Sequence, residues 1–575
     1  MMHLNNNYIF IFIIVLFCYN SSYSSDFSLK WSTNVPYTGN YSSPRAIDLD
    51  GDGLLEVVIS CSYPIEEENF QAGTFCLNGI TGETIWEAPL LSTYMYGTAS
   101  FLDVNNDDVL DIFIVGGFGF LNCINGATGD IIWEFDTTNN NSIPHADYNF
   151  FNPKIIPDQN SDNISDILIS HGGNANLEPY SDERKTGYLL ILNSVDGTII
   201  SLDSFPDSKE TYFSPIVVDI NQDSTLEVIY GTGGETDSGS LWKVSLSDLK
   251  NNDIHTTSSQ IDGPYNKGFL QPCTLADFNN DGYLDILSIN LDGSIKLIDV
   301  TNNMVLWEET FNGFEIYTEP TILNTNNDDT LEVFIRLSKG IYNDDNGYDG
   351  FKNLIFNSIT GDYYEVDTSG YNYQFNSALS YWDENSANLI FTNNVEGQSG
   401  NKFTVQNYNV ESKIYTTILD TVIGSNTAAT PVLRDVDNDG LAELVISFEG
   451  IDSITINCYD TDIKEENVTW ASYYGNNRNS IYTTPDISTS NFENKNKALE
   501  IYPSITKQII QLPESILTFS ISIYNTKGQF VLQKNIDSYS DLAIDIGYLE
   551  NGLYIIEAFN ESNSIRLSNK VIKIN

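Results

Sequence analysis

Short apolar runs recur along the chain, each bounded by acidic, Asn- and Gly-rich breaks. EVVIS, DIFIV, DILIS, EVIYG, DILSI, EVFIR and ELVIS each start on the last residue of a nine-residue segment of the form D-x-D/N-x-D-x-x-x-D/E. These segments begin at Asp48, Asp103, Asp158, Asp219, Asp277, Asn324 and Asp435. Successive starts lie 55, 55, 61, 58 and 47 residues apart, and the last gap, 111, is close to two periods. In the middle of that gap YWDENSANLIF, around Asp383, reads as an eighth copy with a shortened loop. Most copies continue with a second strand ending in a turn (CLNGITGE, CINGATGD, ILNSVDGT), and several with a third containing Trp (TIWE, IIWEF, VLWEE). Runs of this length separated by turn residues are strands, and four of them every ~50 residues is the repeat of a β-propeller blade. The expected fold is all-β: an eight-bladed β-propeller with calcium-binding hairpin loops, followed by a small Ig-like β-sandwich. Ring closure removes the exposed edges an open sheet would carry, and either Leu29-Lys30-Trp31 or the segment around Trp470 supplies the closing strand.

The acidic segments have the chemistry of a metal site. Oxygens at positions 1, 3 and 5 of a tight turn point inward, and the acid at position 9 completes the cage. A hard divalent cation with six to eight oxygen ligands fits, and calcium tolerates the irregularity better than magnesium. The candidate ligands are Asp48, Asp50, Asp52 and Glu56; Asp103, Asn105, Asp107 and Asp111; Asp158, Asn160, Asp162 and Asp166; Asp219, Asn221, Asp223 and Glu227; Asp277, Asn279, Asp281 and Asp285; Asn324, Asn326, Asp328 and Glu332; and Asp435, Asp437, Asp439 and Glu443. Up to seven calcium ions are expected. By acid count the loops at Asp48 and Asp435 bind tightest, and the loop at Asn324 is the weakest. Position 6 calls for a left-handed backbone, and it is Gly in three copies (Gly53, Gly282, Gly440).

These loops resemble FG-GAP repeats, as in the propellers of integrin α-subunits, whose loops bind calcium on one rim. The endings with Gly, Thr or Asp and Trp resemble the PQQ-like propeller repeat. Together the resemblance covers roughly residues 30–485 and implies a secreted bacterial propeller protein. It does not carry the quinone with it: there is no vicinal cysteine pair and few basic residues, so no PQQ is expected and the Trp residues are assigned to packing between blades.

Tyr8–Cys18 is an 11-residue apolar run, too short to span a bilayer, and Ser22-Tyr23-Ser24 follows it as a cleavage pattern. Residues 1–24 are therefore expected to be a signal peptide and 26–490 the propeller, with no transmembrane segment. From about Asn496 the acidic repeats stop. IYP at Ile501–Pro503, IYNTKGQ at Ile523–Gln529 and NGLYII at Asn551–Ile556 resemble the type A C-terminal sorting domain of type IX secretion cargo. That resemblance makes 496–575 a sorting domain, the type IX machinery a partner, and the secreted or cell-surface fraction the location. Cys76, Cys123 and Cys458 share a repeat position that other copies fill with Ile or Leu, so they read as small buried hydrophobes. A Cys61–Cys76 disulfide stays open.

A net charge of −53 argues against nucleic acid or an anionic membrane as direct partner, while 41% hydrophobic residues exclude global disorder. Blades 3 and 4 carry connections richer in Gly and polar residues than a blade needs. They hold the candidate ligand residues His171, Arg184, Lys209, Glu210, Tyr212 and Glu235. No catalytic residue is assigned. Two function classes compete: a non-catalytic module for adhesion or for binding an extracellular glycan or protein, which is preferred, and a calcium-dependent polysaccharide lyase of the rhamnogalacturonan-lyase kind. The lyase would use His171 or Tyr212 as base, with Arg184 or calcium facing the enolate.

Overall fold

The structure is a computed structural model; it describes residues 27–482 and 505–573 apart from short stretches, the longest being 63–71, 91–96, 136–148, 341–347, 367–375, 395–401, 512–519 and 536–542. Blade 1 is built from Arg45–Ile47, Glu56–Ser62, Ala72–Asn78 and Thr84–Leu90, paired antiparallel in chain order. Seven more blades follow, with innermost strands Ser100–Leu102, Phe150–Ile156, Ile216–Val218, Thr274–Ala276, Thr321–Leu323, Leu379–Trp382 and Val432–Arg434. The shortened copy at Asp383 is the loop of blade 7, where Asp383 Oδ1 accepts from Ser386 N at 2.9 Å.

The second strands are apolar on both sides because each blade is covered on both faces. Val57, Ile59 and Cys61 pack towards blade 8 with Val432, Val445 and Ile456, whereas Val58 packs towards blade 2 with Phe101, Ile112 and Ile114. All five described cysteines are free, buried thiols; Cys76 faces Val58 and Cys61 faces Gly73, so the Cys61–Cys76 disulfide does not form.

Of the two candidate closing segments, Ser28–Val35 completes the ring, as the outer strand of blade 8 beside Ile454–Asp460. Trp31 then joins a series. The indoles of Trp31, Trp86, Trp133 and Trp307 donate from Nε1 to Gly79, Gly126, Ser194 and Ser358 carbonyls of the next blade at 2.6–2.8 Å. Each ring also lies against a turn glycine of that blade, so that a Cβ on Gly129 would meet Trp86 at 2.9 Å.

The segment around Trp470 does something else. Val468–Trp470 pairs antiparallel with the innermost strand of blade 7, and Ile481 pairs in parallel with Leu275 of blade 5. Between them Arg45 of blade 1 donates to Tyr473 O at 2.6 Å, Tyr474 OH to Ser214 Oγ at 2.7 Å, Tyr474 N to Glu319 Oε2 at 2.8 Å and Leu433 N to Ala471 O at 2.9 Å. Only a segment on the ring axis reaches blades 1, 4, 5, 6, 7 and 8 at once. Residues 468–476 and 480–482 therefore fill the central channel.

The chain divides into a unit ending at Thr483 and a second unit from Thr484. The second contains a five-stranded sheet (Ile505–Thr506, Ile565–Lys573, Gly552–Asn560, Ser520–Asn525, Phe530–Asn535) and a two-stranded one (Ile509–Gln511 with Ala543–Asp545). The expected signal peptide, 1–24, lies outside the described residues, as do Ile501–Pro503 and parts of the other two sorting-domain motifs, 526–529 and Asn551. Among the described residues no helix is long and apolar enough to cross a membrane.

Candidate functional site

The acidic loops join first and second strands and share one rim with the third-to-fourth turns; Asn125 of such a turn donates to Asp107 at 3.2 Å. Their internal geometry repeats. The position-9 acid opens the second strand, and one of its oxygens accepts the N–H of position 2: Glu56 from Leu49, Asp111 from Val104, Asp166 from Gln159, Glu227 from Ile220, Asp285 from Phe278, Glu332 from Thr325 and Glu443 from Val436, at 2.5–3.2 Å. The position-1 Asp accepts the N–H of position 6, at 3.1 Å for Asp48 with Gly53 and 2.8 Å for Asp435 with Gly440. Position 6 is left-handed, as its sequence suggests, at Gly53, Asp108, Asn163, Ser224, Gly282 and Gly440. Position 4 is left-handed too, at Gly51, Asn106, Ser161, Gln222, Asn280 and Asn438, which the sequence reading missed.

Carboxylate oxygens of Asp48, Asp50 and Glu56 lie within 4.8 Å of one another, and those of Asp435, Asp437 and Glu443 do the same. Where position 3 is Asn, its amide instead turns to the position-5 acid, at 3.0 Å from Asn105 to Asp107, 2.9 Å from Asn160 to Asp162, 3.0 Å from Asn221 to Asp223 and 3.3 Å from Asn279 to Asp281. Burial, reinforced by the other loop acids, raises Glu56, Asp285 and Glu443 to about 7 and Asp111 to about 6. Crowded carboxylates of this kind can hold a divalent cation, which would favour their ionised forms. Asn324 and Glu332 frame the loop of blade 6, whose Asn326 and Asp328 lie outside the described residues.

The connections of blades 3 and 4 lie on the opposite face. Four of the six candidates from three separate stretches come together there. Arg184 Nε is 3.1 Å from Glu210 Oε2, its guanidinium lies 5.2 Å from the centre of the Tyr212 ring, and Glu235 is close enough for Arg184 to act on its charge. Burial raises the Glu235 carboxyl, Glu315 adds to the rise, and Arg184 and Lys267 oppose it. Lys209 is pulled aside, paired with Asp237 at 2.7 Å. Lys267 and Glu315, which form an ion pair, escaped the sequence reading. They occupy the same blade-to-blade connections as Lys209 and Glu210, one and two repeats on, and that periodicity is the signal that could have found them.

His171 belongs to the interior instead. Its Nδ1 accepts Asn149 N–H at 3.0 Å, its ring stacks on Tyr188 at 5.8 Å, and complete burial lowers its pKa to about 3. It braces the connection as a neutral imidazole, so neither a base nor a ligand contact at the surface can be assigned to it.

Residues 500–574 match the family model described as the secretion system C-terminal sorting domain, which implies export by type IX secretion to the cell surface or beyond. No curated protein matches the chain in sequence. Among solved structures, quinohemoprotein alcohol dehydrogenase from Comamonas testosteroni is similar at 12% identity and TM-score 0.47, covering 76% of each chain. BamB from Moraxella catarrhalis (12%, TM-score 0.38) covers 75% of this chain and 97% of its own. Sqt1 from Saccharomyces cerevisiae (10%, TM-score 0.44) covers 75% and 98%. At these identities and scores the likenesses carry no argument about activity.

Proposed function

We propose that this chain is an extracellular binding module: a calcium-stiffened eight-bladed propeller, delivered through its type IX sorting domain, that takes a glycan or a protein segment on the face opposite the calcium loops. The observation that carries the binding assignment is the meeting of Arg184, Glu210, Tyr212 and Glu235 on that face. An aromatic ring beside a buried ion pair offers a sugar or a peptide both an apolar platform and charged hydrogen-bond partners. Calcium would be held by Asp48, Asp50, Asp52 and Glu56 in blade 1 and by the corresponding oxygens of blades 2–5, where it supplies neutralising charge and fixes the hairpin turns. The FG-GAP resemblance of the loops supports this reading. An N-terminal signal peptide over 1–24 fits the same route.

The lyase alternative loses its first base to the burial of His171, and the hydroxyl of Tyr212 is buried although its ring is part-exposed. The deciding experiment offers the full-length protein, with calcium, a panel of uronate polysaccharides. Retardation in polysaccharide gels, lost in R184A, with no growth of ultraviolet absorbance is the expected result. Growing absorbance from unsaturated products would make the protein a lyase, and neither signal would leave a protein as the ligand. EGTA is expected to lower the melting temperature of the propeller, and an unchanged curve would remove calcium from the account.

A further inference from the structure

Acid count ranks the loop of blade 8 with that of blade 1 as a calcium site, yet the two differ in what faces them. Lys30 Nζ stands 2.6 Å from Asp437 Oδ2, 3.3 Å from Glu443 Oε1 and 2.9 Å from Asp460 Oδ1. Asp437 and Glu443 are positions 3 and 9 of the loop, two of the three residues in its carboxylate cluster. Among the described residues of blades 1–5, no position-3 or position-9 acid receives a lysine or arginine at ion-pair distance.

The placement of Lys30 comes from the repeat itself. The outer strand of blade 8 slips register between Leu29 and Trp31, which leaves Lys30 as the extra residue of a bulge. The same slip occurs in blades 1, 2, 3 and 5, where the extra residue is Ile85, Ile132, Ile200 and Leu306. Every one of those is apolar. Blade 8 alone of these puts an ammonium at the bulge, and it alone has its outer strand supplied from the other end of the propeller's sequence.

We propose that blade 8 carries its own cation: the Lys30 ammonium occupies the Asp435–Glu443 loop in place of calcium, so the strand that closes the ring is also the counter-ion of its last loop. This rests on the reading of the other loops as calcium sites. A calcium ion sits about 2.3–2.6 Å from its oxygens. An ammonium already in contact with Asp437 Oδ2 would then share that oxygen with a doubly charged neighbour, and the repulsion of two cations on one oxygen in a half-buried cage favours one occupant. The covalently attached ammonium has the advantage of effective concentration once the strand docks. Closure of the ring therefore needs no calcium, whereas the loops of blades 1–5 do.

The test counts calcium bound to the full-length protein by equilibrium dialysis and elemental analysis for wild type, K30I, K30I/D437N and D50N. K30I installs the residue that the bulges of blades 1–3 already tolerate. Its expected count is one calcium more than wild type, with the extra ion lost in K30I/D437N, and its melting temperature is expected to fall in EGTA and to recover with calcium more than wild type does. Equal counts in wild type and K30I, with D50N one lower than wild type, would overturn the proposal while leaving the calcium loops standing. A D50N count equal to wild type would instead sink the calcium reading of the loops. K30Q, which removes the charge and keeps a polar side chain, gives the same comparison should K30I fail to fold, and K30R must behave as wild type.

Discussion

At the scale of single residues the loops are held by backbone conformation as much as by charge. Gly282 has φ +91° and a Cβ built there would meet nothing within 4 Å, so replacing it by Ala tests the backbone alone. G282A is expected to lose about 1 kcal/mol of unfolding free energy, the ordinary cost of forcing an L-residue into the left-handed region, in denaturant melts with calcium present. A loss several times larger would mean that the substitution disturbs the neighbouring acids as well. Position 6 was legible in the sequence because three of its copies are Gly. Position 4 left a weaker trace: it is Asn at 106, 280 and 438 and Gly at 51, both residue types that take a left-handed backbone readily, but Ser161 and Gln222 break the pattern, and the φ values complete it. His171 was picked out because histidine is rare here, with four in the chain. Rarity says nothing about burial, and burial is what makes it a structural residue.

At the scale of elements, blades are joined by a device that the sequence half-disclosed. The Trp at the end of several copies pointed to packing between blades. Its hydrogen bond to the next blade's turn, and the glycine beneath its ring, require knowing which turn comes to lie beside it. W86F keeps most of the apolar contact but leaves the buried Gly126 carbonyl without its indole donor, now bonded at 2.7 Å. It is expected to cost about 1–3 kcal/mol, read as a lower denaturant midpoint at unchanged slope. An unchanged midpoint would show that the turn carbonyl finds another partner. The same pairing explains why the closing strand could not be chosen from sequence. Ser28–Val35 and Val468–Trp470 both offer a short apolar run with a Trp, and only the position of a partner turn separates them: Trp31 has Gly79 of blade 1 within 2.7 Å and so continues the series, whereas Trp470 packs on the axis among residues of blades 5 and 6.

At the scale of the whole molecule the axis segment is the element with most reach. It was not legible as a plug, because nothing in 468–482 differs in composition from the edge of a blade; its role follows from its partners. Because it enters antiparallel to one inner strand and leaves parallel to another, the chain turns near Tyr473–Tyr474 and heads back towards the rim of acidic loops. The turn is pinned by Glu319, buried completely, which accepts from Tyr474 N and Ser480 Oγ, while Lys154 Nζ lies 3.9 Å above the Tyr474 ring. Burial raises the Glu319 carboxyl to about 7, against the pull of its hydrogen bonds and of Lys154 and Arg45. A folded state that holds this proton longer than the unfolded chain does must lose stability as pH rises from about 4.5 towards 7, and then level off. For one group shifted from 4.5 to about 7, the loss is on the order of 3 kcal/mol. E319Q has nothing to ionise there, so its unfolding free energy is expected to fall less between pH 5 and pH 8 than that of wild type. Saturating calcium, where the loops bind it, keeps the raised acids of the blade 1, 2 and 5 loops out of the same window, and Glu443, which faces Lys30, contributes alike to both proteins. Parallel pH dependences in the two proteins would mean that Glu319 stays in one protonation state throughout, with Lys154 and Arg45 outweighing its burial.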